Sequence, residues 1–229
     1  MKVVLALLTL GFVALASTDD VRAQDASHRP LPYPSSAPYN VAPPPGYHQH
    51  DGFYLHIELG FAGGSSKTTL AGTELSLSGG GVDFALALGG AVAPHWVVFG
   101  EVQVLGFDEP TSKIDGQEVN VLERQQSFDF GGVGPGVAYY FDPSNIFLSA
   151  SVLISSLSVT DVNGKERSTD GGAGINLKVG KEWWVSQDWA LGVLFGVHAS
   201  SAKEKDEGFV EPPRWHNRGA FLSFSATYN

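Results

Sequence analysis

The chain contains no cysteine and a single methionine among its 229 residues. Without cysteine it can form no disulfide framework, carry out no thiol chemistry and accept no lipid through an N-terminal cysteine. Charged residues are also scarce, at 17%, and acidic ones outnumber basic ones, which gives a formal net charge of −10. Because an acidic chain repels phosphate backbones, the composition argues against nucleic acid as a partner.

The apolar run at the N-terminus is too short for a membrane-spanning helix. Val3–Ala16 is predominantly apolar and follows the basic Lys2, whereas a span needs about 20 such residues. Val21 and Ala23 supply small residues at the −3 and −1 positions of a cleavage site. The pattern predicts an export signal over residues 1–23. An earlier cleavage, at the end of the apolar run, and an uncleaved membrane anchor are the alternatives.

Residues 24–51 have the composition of a linker. They hold most of the chain's proline, including Pro43–Pro45, and show no apolar periodicity. We expect this segment to be disordered, because it cannot bury enough apolar surface to offset the entropy of ordering. His48, His50 and Asp51 could bind a metal, but no fourth ligand is evident, so we interpret them as ordinary polar linker residues.

Glycine is abundant, with 28 residues, and from Gly52 onward the sequence alternates with a period of two. Large apolar residues alternate with small or polar ones, as in the run from Phe53 to Phe61, which is typical of β-strands. We expect eight strands, near 52–63, 79–91, 96–107, 125–141, 146–159, 172–184, 189–199 and 218–228. In the fourth strand, Gly132–Gly136 predicts a bulge that changes which side chains face inward. It is not a nucleotide-binding loop, since no helix follows it.

The connections between these strands alternate in length. Three are tight turns: 92–95, 142–145 and 185–188. Four are long, polar and charged: 64–78, 108–124, 160–171 and 200–217. Short turns at one end and long loops at the other are typical of outer-membrane barrels, so we expect residues 52–229 to form an all-β, eight-stranded antiparallel up-and-down transmembrane β-barrel.

Aromatic residues cluster at the short-turn end of the expected strands. Tyrosine and tryptophan prefer the boundary between membrane and water, because the ring is apolar and its N–H or O–H needs a polar partner. A girdle at the periplasmic side is therefore expected. Its members are Phe53, Trp96, Tyr139, Tyr140, Phe141, Trp183, Trp184, Trp189 and Tyr228.

Two segments that flank short turns resemble a known family. They are GPGVAYYFDPSNIFL at 134–148 and VGKEWWVSQDWALG at 179–192. They are similar to the turn-flanking motifs of small outer-membrane barrel domains, the group that includes OmpA-like and OmpX-like barrels. The resemblance covers residues 52–229 and implies that the protein is located in the outer membrane of a Gram-negative cell. It also implies contact with outer-membrane lipid and lipopolysaccharide, and with the barrel-assembly machinery during biogenesis. The chain departs from the family in ending on Asn229, after the aromatic Tyr228.

A soluble eight-stranded barrel such as a lipocalin is the structural alternative. A lipocalin turns its apolar face inward around a ligand. Here Glu58, Asp83, Lys178 and Glu182 lie on the small face, which suits a polar interior. The opposite face, rich in Phe, Leu, Val and Ile, suits lipid.

Three charged residues are expected near the middle of the barrel. Glu58, Glu101 and Lys178 each lie several residues from the short-turn end of their strands. A charge in so narrow an interior needs a partner, because an unpaired buried ion loses its hydration without compensation. We predict structural ion pairs that fill the lumen, with a gate as the alternative. We assign no catalytic, cofactor-binding or metal-binding residue.

An enzyme of the lipid A deacylase type is a further alternative. His198 and Ser200 have the His-x-Ser spacing of those enzymes, which resembles a base and a nucleophile. A downstream glutamate would orient the histidine, and Glu204, Glu207 and Glu211 are available. However, Ser201 follows where that motif has Asn, and both candidates are expected to face inward, away from lipid.

The function expected from the sequence is that of a non-enzymatic barrel. Its long extracellular loops would serve a structural, surface-interaction or adhesion role. A narrow channel for small molecules, as in OmpW-like barrels, is the first alternative, and a lipid A-modifying hydrolase is the second.

Overall fold

The computed structural model describes residues 50, 52–118, 127–161, 163–205 and 212–229. The expected export signal and all of the expected linker except His50 lie outside these residues. The described part contains eleven strands. They are β1 (Phe53–Leu70), β2 (Thr73–Ala93), β3 (Trp96–Asp108), β4 (Thr111–Ile114), β5 (Gln117–Glu118), β6 (Ser127–Phe141), β7 (Ile146–Thr160), β8 (Glu166–Ser168), β9 (Gly172–Trp184), β10 (Trp189–Lys203) and β11 (Arg214–Tyr228). None of the described residues belongs to a helix that is long and apolar enough to cross a membrane.

The eight long strands close into a barrel. They follow one another around the wall in chain order, each antiparallel to its neighbours: β1, β2, β3, β6, β7, β9, β10 and β11. β1 pairs with β2 on one side and with β11 on the other, from Leu55 opposite Tyr228 to Lys67 opposite His216. The predicted all-β, eight-stranded antiparallel barrel is confirmed. Closure satisfies the backbone groups that an open edge would leave unpaired in lipid.

The strands turn their large apolar side chains outward. Leu191, Val193 and Phe224 are 50%, 39% and 71% exposed, respectively, whereas their neighbours Ala190 and Ser223 are buried. An outer wall of this kind is unfavourable in water but suits the hydrocarbon core of a bilayer. The arrangement excludes the lipocalin alternative, in which the apolar face lies inside.

Glycines on the inner wall make room for aromatic rings from neighbouring strands. A Cβ atom on Gly196 would overlap the ring of Phe221, and one on Gly136 would overlap the ring of Phe99. The same pairing of a small residue with a large one recurs between Gly180 and Phe147 and between Gly64 and Phe107. The abundance of glycine on the small face therefore lets bulky rings fill a narrow interior.

The aromatic girdle is present at the short-turn end, with two exceptions. Phe53, Trp96 and Trp183 are about half exposed on the outer wall. Tyr140 instead points inward and is buried, because it lies one residue out of phase with Tyr139 and Phe141. Trp184 is likewise out of phase with Trp183, and its ring lies 5.2 Å from that of His50.

The prediction of four long loops is partly wrong, because strands continue into these segments. β1 and β2 extend to a tight turn at Ala71 and Gly72, which have φ angles of +49° and +86°. Positive φ at both central residues is the geometry that a tight hairpin prefers. Further out, β4 pairs with β2, β5 with β4, and β8 with β7. The barrel wall thus continues past the membrane as ordered β-structure.

The expected bulge at Gly132–Gly136 is also wrong. β6 keeps one register with β3 across this segment, from Gly132 opposite Gln103 to Gly136 opposite Phe99. Phe130 before the glycines and Ala138 after them are both buried, so the inward phase is unchanged. The pairing of β6 with β7 skips Gly134 and Pro135 and resumes at Gly136 opposite Ser151 in the same register.

Candidate functional site

The centre of the barrel holds an ion-paired lysine. Lys178 on β9 has its Nζ atom 2.7 Å from Glu58 Oε1 on β1 and 2.9 Å from Glu101 Oε1 on β3. All three side chains are buried. The structure therefore brings together the three charged residues that the sequence placed at one height. Each carboxylate offsets part of the cost of burying the ammonium group.

A histidine extends this centre toward the short-turn end. His56 lies 3.1 Å from Glu58, and its Nδ1 atom is 2.7 Å from Thr227 Oγ1. Thr227 donates a hydrogen bond of 2.6 Å to Glu182, which is itself 3.4 Å from His56. These contacts connect β1, β9 and β11, so the polar interior joins the two strands of the closing seam.

An amide extends the centre toward the long-loop end. Asn176 Nδ2 donates to Glu101 Oε1 at 2.8 Å and also to Gln103 Oε1. Asn176 Oδ1 lies 2.6 Å from Nδ1 of His198. Gln103 in turn donates a hydrogen bond of 2.8 Å to Asp83. Polar contacts therefore run continuously across the middle of the barrel.

The interior carries more negative than positive groups. Among the described residues, the interior holds four buried carboxylates, those of Glu58, Asp83, Glu101 and Glu182, together with the ammonium group of Lys178 and the imidazole of His56. Within the described residues, the Oε2 atoms of the three glutamates accept no hydrogen bond. These oxygens are acceptors that the polar network leaves unused.

Aromatic rings close the interior above and below the ion-paired centre. On the long-loop side, Phe107 packs against Phe128 and Phe130, with ring centroids 4.6 Å and 5.2 Å away. On the short-turn side, the hydroxyls of Tyr54 and Tyr140 lie 3.2 Å apart. These side chains are at most 2% exposed. The lumen is therefore a packed interior rather than an open pore.

His50 lies at the short-turn mouth of the barrel. Its ring stacks on Tyr140 with centroids 3.5 Å apart. Its two nitrogens lie 2.9 Å from the side-chain oxygens of Asn145 and Asn229. His50 of the expected linker therefore contacts the rim of the barrel, through amide partners in a turn and at Asn229.

The described residues contain no group of three or more His, Asp or Glu side chains that could hold a metal ion. His48 and Asp51, the other members of the motif in the linker, lie outside the described residues. The polar contacts of His50 are with the amides of Asn145 and Asn229.

The residues of the deacylase-like motif are not arranged as a base and a nucleophile. His198 is buried in the interior and contacts Asn176, while Ser200 accepts a hydrogen bond of 3.1 Å from Asn217. Glu204 accepts a hydrogen bond from Trp215, and Glu207 and Glu211 lie outside the described residues. Both motif residues are buried on the lumen side of β10, as expected from the sequence.

Sequence reasoning missed several members of the polar interior. His56, Gln103 and Asn176 were not singled out, although the period of two already places them on the inner face. Counting residues along a strand gives height, but contacts across the lumen also depend on how far neighbouring strands are staggered. The missing partners could therefore not be assigned from spacing alone.

Solved structures with a similar fold are outer-membrane barrels. Neisserial surface protein A superposes with a TM-score of 0.53 at 15% identity, covering 78% of this chain and 97% of that one. AlkL, an outer membrane protein studied in lipid bilayers, gives 0.49 at 14%, covering 88% and 96%. OprG from Pseudomonas aeruginosa gives 0.47 at 11%, covering 80% and 99%. No protein-family model and no curated protein sequence matches the chain.

The fold and the outer wall together define the class of protein. The likeness to neisserial surface protein A extends over nearly all of that chain, and the outward apolar residues form the surface that such a barrel presents to lipid. Closed antiparallel barrels with this exterior belong to outer membranes. The chain is a small eight-stranded β-barrel of the outer membrane.

Proposed function

We propose that the protein is a non-enzymatic outer-membrane barrel that serves as a closed scaffold for a surface-interaction role. The observation that carries the proposal is the filled lumen. Ion pairs around Lys178 occupy its middle, and aromatic rings pack on both sides of them. A barrel closed in this way offers solutes no path, so its useful surface lies outside.

The ordered extensions on the long-loop side support this role. β1 and β2 continue as a hairpin to Ala71 and Gly72, and β4 adds to the same sheet through Leu75 opposite Ile114. Because their backbones are already paired, these extensions lose less conformational entropy on binding than flexible loops would. They provide a preorganised surface for contact with structures outside the cell.

Conductance in planar bilayers tests the closed lumen. We expect the purified barrel to give no discrete current steps above the leak of the membrane, whereas an open porin in the same bilayers provides the positive control. Reproducible steps from the wild-type protein would overturn the scaffold proposal and support a narrow channel.

Shortening the β1–β2 hairpin tests the surface role. A variant with Thr68–Leu75 replaced by Asn-Gly keeps Lys67 opposite Ser76 and supplies a favourable tight turn. We expect cells that display this variant to attach less well than cells with the wild type to at least one of a panel of immobilised polysaccharides and matrix proteins. Equal attachment across the panel would argue that the hairpin is not a binding surface.

A further inference from the structure

Basic side chains cluster on the outer wall of three neighbouring strands. Lys67 on β1 lies opposite His216 on β11, and Lys203 on β10 lies opposite Arg214 on β11. Arg218 follows one outward position further along β11, opposite Ser65. All five basic residues are exposed. We call Lys67, Lys203, Arg214, His216 and Arg218 the basic patch. It is a concentrated positive surface on a chain whose net charge is −10.

The basic patch borders a groove of about 570 Å³. Its lining includes Lys67, Arg214, His216 and Arg218, together with the hydroxyl-bearing Ser65 and Thr69. The groove also contains Glu74, which pairs with Lys67 at 3.0 Å. Among the described residues, no carboxylate pairs with Arg214, His216 or Arg218. The groove therefore combines unneutralised cationic donors with hydroxyl donors, the groups that bind phosphate oxygens.

The position of the patch along the barrel identifies what it faces. Arg218 lies about ten residues along β11 from Tyr228 of the periplasmic girdle, and a tilted strand crosses the hydrocarbon core in about 9–11 residues. Between them the outward residues are apolar, with Leu222 and Phe224 both strongly exposed. The basic patch thus begins where the apolar wall ends, at the height of lipid headgroups in the outer leaflet.

On part of the opposite side of the barrel, the outward charges have the other sign. At the same end of β3 and β6, the outward charged residues are acidic: Asp108 and Asp129. A general attraction to the membrane surface would not require basic residues to collect on β1, β10 and β11. Four of the five basic side chains of the patch line one groove, whereas Lys165 and Arg167 near β8 lie away from it. This concentration points to a binding site at the groove.

We propose that the basic patch binds the phosphate groups of the phosphorylated glycolipid in the outer leaflet, the lipid A portion of lipopolysaccharide. The acyl chains lie along the apolar wall formed by Leu222 and Phe224. The phosphates meet Arg214, His216 and Arg218, with Lys67 and Lys203 at the margins of the site. This assignment is separate from the scaffold role, since a lipid site would exist whether or not the lumen conducts.

Titration of the purified barrel in zwitterionic detergent micelles tests the assignment. The probes are bis-phosphorylated lipid A, mono-phosphorylated lipid A and inorganic phosphate, and binding is followed by native mass spectrometry. We expect the affinity to decrease in that order and to fall as salt is added, because the contact is electrostatic at an exposed surface. Inorganic phosphate or a soluble polyanion binding as tightly as bis-phosphorylated lipid A would overturn the lipid assignment.

A double variant, Arg214→Gln with Arg218→Gln, tests whether these two residues bind the phosphates. Each basic side chain near an anionic lipid surface contributes a factor of about 5 in affinity, so we expect the double variant to bind lipid A about 30-fold more weakly. The matched control is Lys165→Gln with Arg167→Gln, which removes two exposed basic residues near β8, away from the groove.

The mobility of each variant on gels before and after heating verifies that it is folded. Unchanged affinity in the groove variant, or an equal loss in the control, would overturn the proposal. If the groove variant does not fold, the comparison between bis- and mono-phosphorylated lipid A on the wild type decides the matter.

Discussion

Lys178 is the side chain on which the charge balance of the interior depends. It faces Glu58 and Glu101 at hydrogen-bonding distance, and its Nζ atom also lies 5.8 Å from the ring centre of Phe221. With the lysine removed, both carboxylates stay buried and lose the ammonium group, so that Glu58 keeps its contact with His56 and Glu101 keeps the hydrogen bond from Asn176. The loss of stability therefore depends on the cost of the carboxylates that stay buried as much as on the contacts of the lysine itself.

We expect Lys178→Met to lower the free energy of unfolding by about 3–5 kcal/mol, because two buried carboxylates lose the ammonium group that they share. Adding Glu58→Gln should recover part of this loss, as coupled neighbours do in a double-mutant cycle. The measurement is reversible urea unfolding in lipid vesicles. Lys113→Met, at an exposed position on β4, is the control and should change stability by less than about 0.5 kcal/mol. Strictly additive losses in the cycle would contradict the pairing.

A substitution at Gly196 tests how tightly the aromatic rings of the interior pack against the glycines of the wall. A methyl group there overlaps the ring of Phe221, so Gly196→Ala should destabilise the barrel by about 1–3 kcal/mol through overpacking. Gly63→Ala, on the outer wall with no heavy atom within 4 Å of the added Cβ, is the matched control. The same vesicle unfolding assay compares the two. Equal stability of both variants would show that the interior is loosely packed.

The charged trio could be foreseen because height along a strand can be counted in the sequence. Glu58, Glu101 and Lys178 fall at similar distances from the short-turn end, and the narrow barrel leaves them close together. His56 and Asn176 were not foreseen as their neighbours. Their partners depend on the stagger between strands, which no residue pattern states directly.

The outer face of a strand behaves differently within the membrane and beyond it. Phe195 on β10 is half exposed midway along the apolar wall, whereas Thr69 on β1 is outward and exposed past its end. We expect Phe195→Arg to cost about 2–4 kcal/mol near the midplane, and Thr69→Arg to cost about 0–1 kcal/mol near the interface. Folding yield and urea unfolding in vesicles provide the comparison. Similar costs at the two positions would mean that the membrane band has been placed wrongly.

The strands themselves were largely predictable, and their ends were not. The period of two identified all eight barrel strands, because each has one face toward lipid and one toward a small polar interior. The expected long loop at 64–78 is in fact the end of a hairpin. The sequence did not reveal this hairpin because most of these residues are polar on both faces. Even so, Leu75 and Leu77 continue the alternation, and Ala71-Gly72 is short enough for a tight turn. Outside the membrane, hydrophobic alternation weakens while strand pairing persists.

Closure makes the molecule cooperative as a whole. β11 pairs with β1 on one side and β10 on the other, so its loss would expose two strand edges to lipid. We expect a chain truncated before Arg214 to yield no folded barrel, as judged by heat-dependent gel mobility and tryptophan fluorescence in vesicles. The variant with the shortened β1–β2 hairpin is the control, because it unpairs no strand inside the membrane. A folded truncated chain would show that seven strands suffice.

The seam between the first and last strands also determines when the protein can fold. The hydrogen bond between His56 and Thr227 joins residues 171 positions apart. Since β11 is synthesised after the other ten strands described, β1 waits for one of its two neighbours until β11 has also been exported. Contacts of such long range form slowly, and apolar strands that wait in water aggregate. The exported chain therefore needs protection for the full interval between leaving the cytoplasm and closing its seam.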